Sequence, residues 1–306
     1  MNLRLILIRV VQGLLTTFLV FTVVFFIMRL SGDPTMLFLP AEATQEDIER
    51  FRAEKGWDQP LVVQYVRYLG DVVQGDFGES LSYRTSAMDV VLERLPATLE
   101  LTAVAFILTI LIAIPAGLIA AVRPDTILSR IVMFVALVGQ AMPGFWLGVM
   151  MILLFSVTFK LLPTGGRDGI ANLIMPSVVL GSWGAAKITR LVRAGMNEVL
   201  SQDYIRTARG KGMPESRVII GHALRNALLP VLSALGLTVG AMLGGAIITE
   251  TVFAWPGVGR LIVQSVLKRD FPVVQVATVL LAIIFIASNL VVDILYTVVD
   301  PRIRYD

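Results

Sequence analysis

The chain has 306 residues, of which 56% are hydrophobic and 16% are charged, and its mean hydropathy is +0.78. Soluble proteins carry about 25% charged residues, so this composition indicates a membrane protein. The chain has no cysteine, which excludes disulfides and thiolate metal sites, and its single histidine, His222, leaves little room for histidine-based catalysis. The net charge of +3 says little as a whole, because the charges are unevenly distributed along the chain.

Six apolar stretches are predicted to span the membrane, since a run of about 18 or more apolar residues is long enough to cross it. The first follows Arg4 and Arg9 and exceeds the apolar region of a signal peptide, so we expect an uncleaved span. The third is interrupted by Gln140 and Pro143, and the fourth is short and contains Pro176. The predicted spans are Val10–Met28, Ala97–Val122, Ile131–Phe159, Asn172–Ala186, Leu228–Phe253 and Val273–Val299.

The charges between the spans predict the orientation. Residues 31–95 hold six basic and twelve acidic residues, a balance of −6, whereas residues 187–225 hold eight Lys/Arg against three acidic residues. Short basic loops stay in the cytoplasm, so we expect 187–225 and the basic segment 1–9 inside and 31–95 outside. The fourth stretch must then cross if the second and third do. The prediction is an all-α polytopic membrane protein with six transmembrane helices and both termini cytoplasmic.

The segment 31–95 is predicted to be a small helical external segment. Thr44 followed by Asp47 resembles a capping box, Gly56 is a plausible helix stop, and Pro60 suits the start of a second helix. An acidic solvated loop is the alternative. The predicted organisation has three parts: an N-terminal tail with the first span (1–30), the external segment (31–95) and a five-helix core (96–306). The core includes a cytoplasmic loop at 187–227.

That cytoplasmic loop contains a basic, glycine-punctuated stretch from Asp203 to Gly212. Ser201 or Asp203 is expected to cap a short helix that ends near Lys211, with Gly212 as its left-handed stop and Pro214 opening the next helix. We expect this polar helix to touch neither lipid nor the chain's own core, and therefore to dock on another protein. An ordinary basic loop near lipid headgroups is the alternative.

Enzyme motifs are missing from the sequence. A phosphate-binding loop would need Gly and Ser/Thr where Ile205 and Gly212 stand, so this stretch is not expected to bind ATP. There is no H-E-x-x-H or G-x-S-x-G pattern. His222 lies among basic and amide residues, where a surface or packing role is expected. The sequence therefore predicts a chain that is not an enzyme.

The stretch Tyr204–Gly212 resembles the EAA loop of ABC-importer permeases. Ala208 and Gly212 fall on the second Ala and the Gly of that pattern. Arg206 and Thr207 replace its usual Glu and first Ala. The motif Tyr-x-Arg-Thr-Ala-Arg-x-Lys-Gly is instead typical of the peptide/nickel permease family, which this chain resembles.

The resemblance covers nearly the whole length of the chain. Within the family, the chain is most similar to the first permease subunit of a dipeptide/oligopeptide-type importer. The segment His222–Pro230 carries the second family motif, His-Ala-Leu-Arg-Asn-Ala-x-x-Pro. Further matching segments are Gly32-Asp33-Pro34, Gly75-Asp76-Phe77-Gly78, Leu161–Gly165, Glu250–Gly259 and Asp300–Tyr305.

The resemblance implies an assembly in the bacterial cytoplasmic (inner) membrane. A second, homologous permease subunit, two ATPase subunits and an external solute-binding protein are the expected partners, beside lipid and without nucleic acid. ATP and Mg are expected on the ATPases, and no cofactor on this chain. The expected ATPase-coupling residues are Asp203, Tyr204, Arg206, Thr207, Ala208, Arg209, Lys211 and Gly212.

Polar residues inside spans are costly and often functional, and four positions are candidates for the translocation pathway: Gln140, Pro143, Glu250 and Asn289. The amides of Gln140 and Asn289 suit a peptide backbone, with an interhelical hydrogen bond as the alternative. Glu250 is expected at an outer gate or as a cap of the external loop. A structural ion pair is expected for Asp293.

The expected function is half of an ATP-driven pathway for peptides or peptide-like solutes, operated by alternating access. A nickel or other metal–chelate importer is the alternative within the family. A standalone secondary transporter would need a coupling-ion site, and the intramembrane carboxylates here are few and near span ends. An intramembrane enzyme is disfavoured because nucleophile motifs are missing.

Overall fold

The computed structural model describes residues 3–32, 35, 39 and 42–299, and the matching segments at Asp33-Pro34 and Asp300–Tyr305 lie outside these residues. The described residues form helices joined by turns, with a lone bridge between Glu79 and Ser86. The α-helices are α1 (Leu3–Leu30), α2 (Gln45–Lys55), α3 (Leu61–Val73), α4 (Ala87–Val122), α5 (Ile127–Ala141), α6 (Gly144–Met151), α7 (Ile170–Leu200), α8 (Asp203–Gly210), α9 (Arg225–Ala227), α10 (Leu229–Val252), α11 (Val258–Leu267) and α12 (Phe271–Val299). Two π-helical segments, Ile152–Thr158 and Arg217–Leu224, continue α6 and precede α9.

Four of the described helices are long and apolar enough to cross a membrane, over Leu7–Leu30, Ala87–Val122, Leu229–Val252 and Phe271–Val291. The third predicted span is divided into α5 and α6 with its π-helical continuation, bent by 110°, and counts as a fifth if the pair is one span. The fourth predicted span lies within α7, which is not among these helices, because only its first half is apolar. The count of six spans therefore stays a prediction.

The bend between α5 and α6 has a local cause. Pro143 is the N-cap of α6, and the preceding Met142 is extended, with φ −75° and ψ 129°. A residue before proline is pushed out of the helical region by the proline ring, so α5 ends where the sequence shows an interruption.

The chain divides into two compact units. The described residues of the first unit are 98–255 and 287–299. Within it, α7 is the central helix and packs against α5, α6 and α10. Gly184 allows the close approach of α7 and α10, since a β-carbon there would lie 2.6 Å from Thr238 Cγ2.

The described residues of the second unit lie within 3–97 and 256–286. In this unit α3 packs on α1, where Tyr68 stacks on Phe21 with ring centroids 5.4 Å apart and the Tyr65 hydroxyl lies 2.7 Å from Thr22 Oγ1. The opposite face of α3 is apolar but exposed, including Val62 and Val66. This helix thus pairs an aromatic face on α1 with an uncovered valine face.

The helices predicted for the 31–95 segment are confirmed as helices. Thr44 and Asp47 form the predicted capping box of α2, and the hydrogen bonds from Thr44 hold the pKa of the Asp47 carboxyl below its ordinary value. Gly56 ends α2 with a left-handed φ of 67°. Pro60 is the N-cap of α3 rather than its first residue. The external location of this segment is untested by these contacts.

Candidate functional site

Helix α8 is anchored on the chain's own core by two side chains on one face. Ile205 is fully buried and Ala208 is nearly so, in a cluster that includes Val192 and Met196 of α7 and Val218 of the following π-helical segment. The expectation that this helix does not touch the chain's own core was wrong, and its separation from lipid stays a prediction. The apolar pair at i and i+3 was the available signal, because residues at that spacing share a helix face.

The other coupling residues predicted from the sequence form the exposed face of α8 and its end. The Thr207 hydroxyl donates to the Asp203 carbonyl at 2.9 Å, and the Arg206 guanidinium lies 3.5 Å from the Asp203 carboxylate. These contacts lie within one turn and leave the charged ends in solvent. The exposed residues are Asp203, Tyr204, Arg206, Thr207, Arg209, Lys211 and Gly212.

The start of α8 differs from the prediction. Its N-cap is Gln202, which makes no side-chain capping hydrogen bond. Neither Ser201 nor Asp203 is the cap, because the Ser201 hydroxyl instead donates to the Glu198 carbonyl at 2.7 Å. The turn between α7 and α8 is therefore bonded back onto the end of α7.

The end of α8 follows the prediction and is fixed by an ion pair. Gly212 has a left-handed φ of 75°, and its N–H donates to the Arg209 carbonyl at 2.9 Å. Arg209 donates twice to the Glu215 carboxylate, at 2.6 and 3.2 Å, across Pro214, and these hydrogen bonds lower the pKa of the Glu215 carboxyl. The pair therefore weakens only as the pH falls through that lowered pKa.

A second contact joins the two motif segments. Asn226 Nδ2 donates to the Tyr204 hydroxyl and to the His222 carbonyl, each at 3.0 Å. His222 itself is exposed. The two family motifs, Tyr204–Gly212 and His222–Pro230, are thus joined by a hydrogen bond, although they are separated along the chain.

The bend between α5 and α6 lines a cavity of about 410 Å³ inside the first unit. Pro143 is among the lining residues, and α7 and α10 supply the other walls. The lining is mostly apolar, and Ser182, Trp183 and Thr249 are its residues with a polar side-chain atom. The lining residues are Met142, Pro143, Gly144, Val179, Leu180, Ser182, Trp183, Gly184, Ala241, Met242, Gly245, Ile248 and Thr249.

Gln140 lies just before this bend and accepts a hydrogen bond from Arg190 of α7. Three residues before Arg190 on α7, Lys187 Nζ lies 5.3 Å from the centroid of the Trp183 ring. The sequence analysis counted Lys187 and Arg190 only among the basic residues of the cytoplasmic loop. Their place on a helix beside the bend was not predicted, because the predicted span ended at Ala186, whereas α7 continues to Leu200.

The other two pathway candidates lie elsewhere in the first unit. Glu250 is fully buried near the end of α10 and accepts a hydrogen bond from the Thr98 hydroxyl at 2.6 Å. Asn289 is half-buried on α12. Neither is among the described residues that line the cavity at the bend. The side chain of Asp293 lies outside what the structure describes.

Two other motif segments meet beside Phe253. The Gly166 N–H donates to the Phe253 carbonyl at 3.0 Å, and the Gly165 carbonyl accepts from Asn172 Nδ2 at 2.6 Å. A β-carbon at Gly165 would lie 2.1 Å from the Phe253 carbonyl oxygen. Among the described residues, no group of three or more His, Asp or Glu side chains could hold a metal ion.

Comparison with known proteins assigns this chain to a family. Residues 113–305 match the family model described as binding-protein-dependent transport system inner membrane component, and residues 2–102 match the N-terminal model of the same systems. The chain is 42% identical over 293 residues to the oligopeptide transport system permease protein AppB of Bacillus subtilis, covering 92% of this chain and 93% of AppB. It is 44% identical over 291 residues to the glutathione transport system permease protein GsiC of Escherichia coli K12, covering 95% of each.

A solved structure supports the fold alone. The MetNI methionine ABC transporter, in inward-facing conformations, contains a chain similar to this one with a TM-score of 0.57 and 22% identity, covering 70% of this chain and 97% of that chain. The family models together match most of the sequence, and the two relatives match it almost end to end. The chain therefore belongs to the binding-protein-dependent transport system inner membrane components, and is a permease subunit of an ABC importer of the oligopeptide/dipeptide type rather than an enzyme.

Proposed function

We propose that this permease forms half of the translocation pathway for peptides or peptide-like solutes and works by alternating access. The names of AppB and GsiC, which specify oligopeptides and glutathione, support this solute class. A second permease subunit forms the other half, and an external binding protein delivers the solute. Two ATPase subunits hold ATP and Mg, and this chain carries no cofactor.

The observation that carries the proposal is the anchored, two-faced helix α8. Ile205 and Ala208 fix it to the core, whereas its charged face is free to meet an ATPase. The Arg209–Glu215 and Tyr204–Asn226 contacts join α8 to the helix that leads into α10. A push on α8 is therefore passed to α7 and α10 as a rigid-body displacement. Ala208 acts as an anchor, and the exposed coupling residues as the docking surface.

The pathway is proposed to run beside the α5–α6 bend, where Gln140 and Pro143 lie. Gln140 offers its amide to solute while it orients Arg190. Asn289 is proposed as a second amide on the pathway. Glu250 stays proposed for an outer gate or as a cap of the external loop, and its full burial and the hydrogen bond from Thr98 of α4 support a structural role at the end of α10.

The proposed topology has six spans, with α7 as the fourth, both termini in the cytoplasm and residues 31–95 outside. The −6 balance of residues 31–95 and the basic residues after Ala186 support this orientation. The relatives in B. subtilis and E. coli support a bacterial cytoplasmic membrane.

Purification and uptake test the proposal. We expect a tagged chain, expressed with the genes beside its own, to bring down an ATPase subunit, and proteoliposomes of that complex to take up a labelled tripeptide only with ATP and binding protein. Uptake without an ATPase would instead support a secondary transporter. ATP-driven uptake of a nickel chelate without any peptide uptake would overturn the peptide assignment.

A further inference from the structure

Helix α7 carries two cations on one exposed face beside the α5–α6 bend. Trp183, Lys187 and Arg190 follow one another at i, i+4 and i+7, so they share a face. The Lys187 ammonium lies over the Trp183 ring, and Arg190 donates to Gln140. Within the described part of the chain, neither cation pairs with a carboxylate.

The contact with Gln140 brings Arg190 of α7 to the end of α5. Gln140 is the last residue but one of α5, and Pro143 then opens α6. A charged side chain next to membrane-spanning helices is costly against lipid and is expected to face water or a partner. Lys187 and Arg190 are thus two positive charges beside the bend and its apolar cavity.

The apolar cavity adjoins this cationic face through a shared residue. Trp183 lines the cavity, and Lys187 lies over the ring of the same residue. The volume of about 410 Å³ is within the usual range for small-molecule sites and accommodates a peptide side chain of any common size. A ligand with a carboxylate next to an apolar group would therefore meet both parts together.

We propose that Lys187 and Arg190 bind the carboxylate of the solute as it passes through the permease, while the adjacent cavity accepts an apolar side chain. This inference rests on the proposed function and narrows its substrate class to peptides or peptide-like solutes with a free carboxylate. Arginine presents a planar fork that matches a carboxylate, and charge-assisted hydrogen bonds are the stronger kind. Every peptide with a free C-terminus carries this group, so the site holds the solute without choosing strongly among side chains.

Gln140 has a positioning role in this site. Its carbonyl oxygen takes one guanidinium N–H of Arg190, which fixes the plane of the fork and leaves the remaining donors for solute. A purely structural clamp between α5 and α7 would need Arg190 but not Lys187, because the described polar contact of Lys187 is with Trp183 of its own helix. The role of Lys187 therefore separates the two interpretations.

The test compares a labelled tripeptide that has a free C-terminal carboxylate with the same tripeptide as its C-terminal amide. Uptake of each is measured in proteoliposomes of the complete importer with its binding protein. The rate ratio of carboxylate to amide is then compared between wild type and the variants Lys187→Met, Arg190→Met and Arg190→Lys. Because every preparation uses the same binding protein, its own preference cancels in this comparison.

We expect the carboxylate-to-amide ratio to fall about tenfold in Lys187→Met and in Arg190→Met, as for loss of one charge-assisted hydrogen bond. Arg190→Lys keeps the charge and should restore most of the ratio. Arg130→Met is the matched control, since Arg130 is an exposed arginine of α5 outside this site, and its ratio should equal that of wild type. If Arg190→Met does not assemble, Lys187→Met still decides the question.

An unchanged ratio in Lys187→Met, with normal uptake of both peptides, would overturn the inference and leave the proposed function intact. Failure of the wild-type importer to take up either peptide would instead defeat the proposed function. An anionic lipid headgroup is a second possible partner of the two cations, so the comparison is made in vesicles that contain anionic lipid and again in vesicles of phosphatidylcholine alone, whose headgroup has no net charge. If the effect of the variants disappears without anionic lipid, the cations bind headgroups and the solute assignment is wrong.

Discussion

Gly165 is a position where an added methyl group has almost no room. Its β-carbon would lie 2.1 Å from the Phe253 carbonyl oxygen, and a backbone atom cannot rotate away as a flexible side chain can. We therefore expect Gly165→Ala to separate this loop from Phe253 and to lose the hydrogen bond between the Gly166 N–H and that carbonyl. Overpacking of this kind costs about 1–3 kcal/mol, so the thermal midpoint of the purified complex should fall.

Gly169→Ala is the matched control for that experiment. It lies four residues further along the same connection, has an extended φ of 176°, and has no neighbouring atom within 4 Å of the added carbon. Its thermal midpoint should equal that of wild type. Equal midpoints for Gly165→Ala and Gly169→Ala would contradict the close packing of this loop on Phe253.

Gln140 and Asn289 are predicted to contribute to solute passage through their amides. Replacing either by leucine removes one hydrogen bond to solute, worth about 0.5–1.5 kcal/mol, so peptide uptake should fall by up to about tenfold. The complex should still assemble, and the affinity of the binding protein should not change because that site is on another chain. Normal uptake in both variants, or loss of the complex, would make these residues helix-packing groups.

At the scale of single residues, the sequence predicted what depends on local chemistry. The capping box at Thr44 and the left-handed conformation of Gly212 follow from side-chain and backbone geometry within a few residues, and both are confirmed. Contacts between distant residues were not predictable in this way. Neither the pairing of Gln140 with Arg190 nor the burial of Glu250 against Thr98 has a local signal, because the partners lie 50 and 152 residues apart.

At the scale of helices, α8 depends on the turn that ends it. Gly212→Pro would impose a φ near −65° where the chain has 75°, and would remove the hydrogen bond from the Gly212 N–H to Arg209. We expect the exposed face of α8 to be misplaced. Peptide uptake and permease-stimulated ATP hydrolysis should then fall together, while the chain still inserts in the membrane.

Gly210→Ala is the control for this change of turn. Gly210 is the last residue of α8, is exposed, and has open space where a β-carbon would lie. Alanine is the better helix former at such a position, so coupling should be preserved. Wild-type assembly, uptake and ATP hydrolysis in Gly212→Pro would contradict the role of α8 as the coupling helix.

Helix bounds show where an apolar pattern stops being informative. The second predicted span began at Ala97, but α4 begins at Ala87, and the fourth ended at Ala186, but α7 continues to Leu200. In both cases the helix extends through polar residues that hydropathy assigns to loops. Pro143 was recognised as an interruption, yet a bend of 110° could not be read from it, because the angle depends on how α5 and α6 pack against α7.

At the scale of the whole molecule, the distribution of charge predicts which surfaces lie on each side of the membrane. Residues 31–95 carry the acidic excess, and the basic residues begin at Lys187. The described helices alone do not determine this orientation, since four or five spans meet the criteria of length and hydropathy. The count of six spans requires that α7 crosses the membrane. A hydropathy criterion does not identify α7 as a span, because the second half of this helix is charged.

A pair of cysteine substitutions tests that orientation, because the natural chain has no cysteine to interfere. Glu54 is exposed near the end of α2, and Glu198 is exposed near the end of α7, so the two sites share residue type and accessibility. In intact cells whose outer face is accessible, a membrane-impermeant thiol reagent should label Glu54→Cys. It should label Glu198→Cys only after the membrane is disrupted.

Labelling of both from outside would mean that an even number of spans separates them and would eliminate either α7 or the α5–α6 pair as a crossing. Labelling of Glu198→Cys alone would reverse the topology and place α8 on the side opposite the ATPases, so the coupling proposal depends on this result.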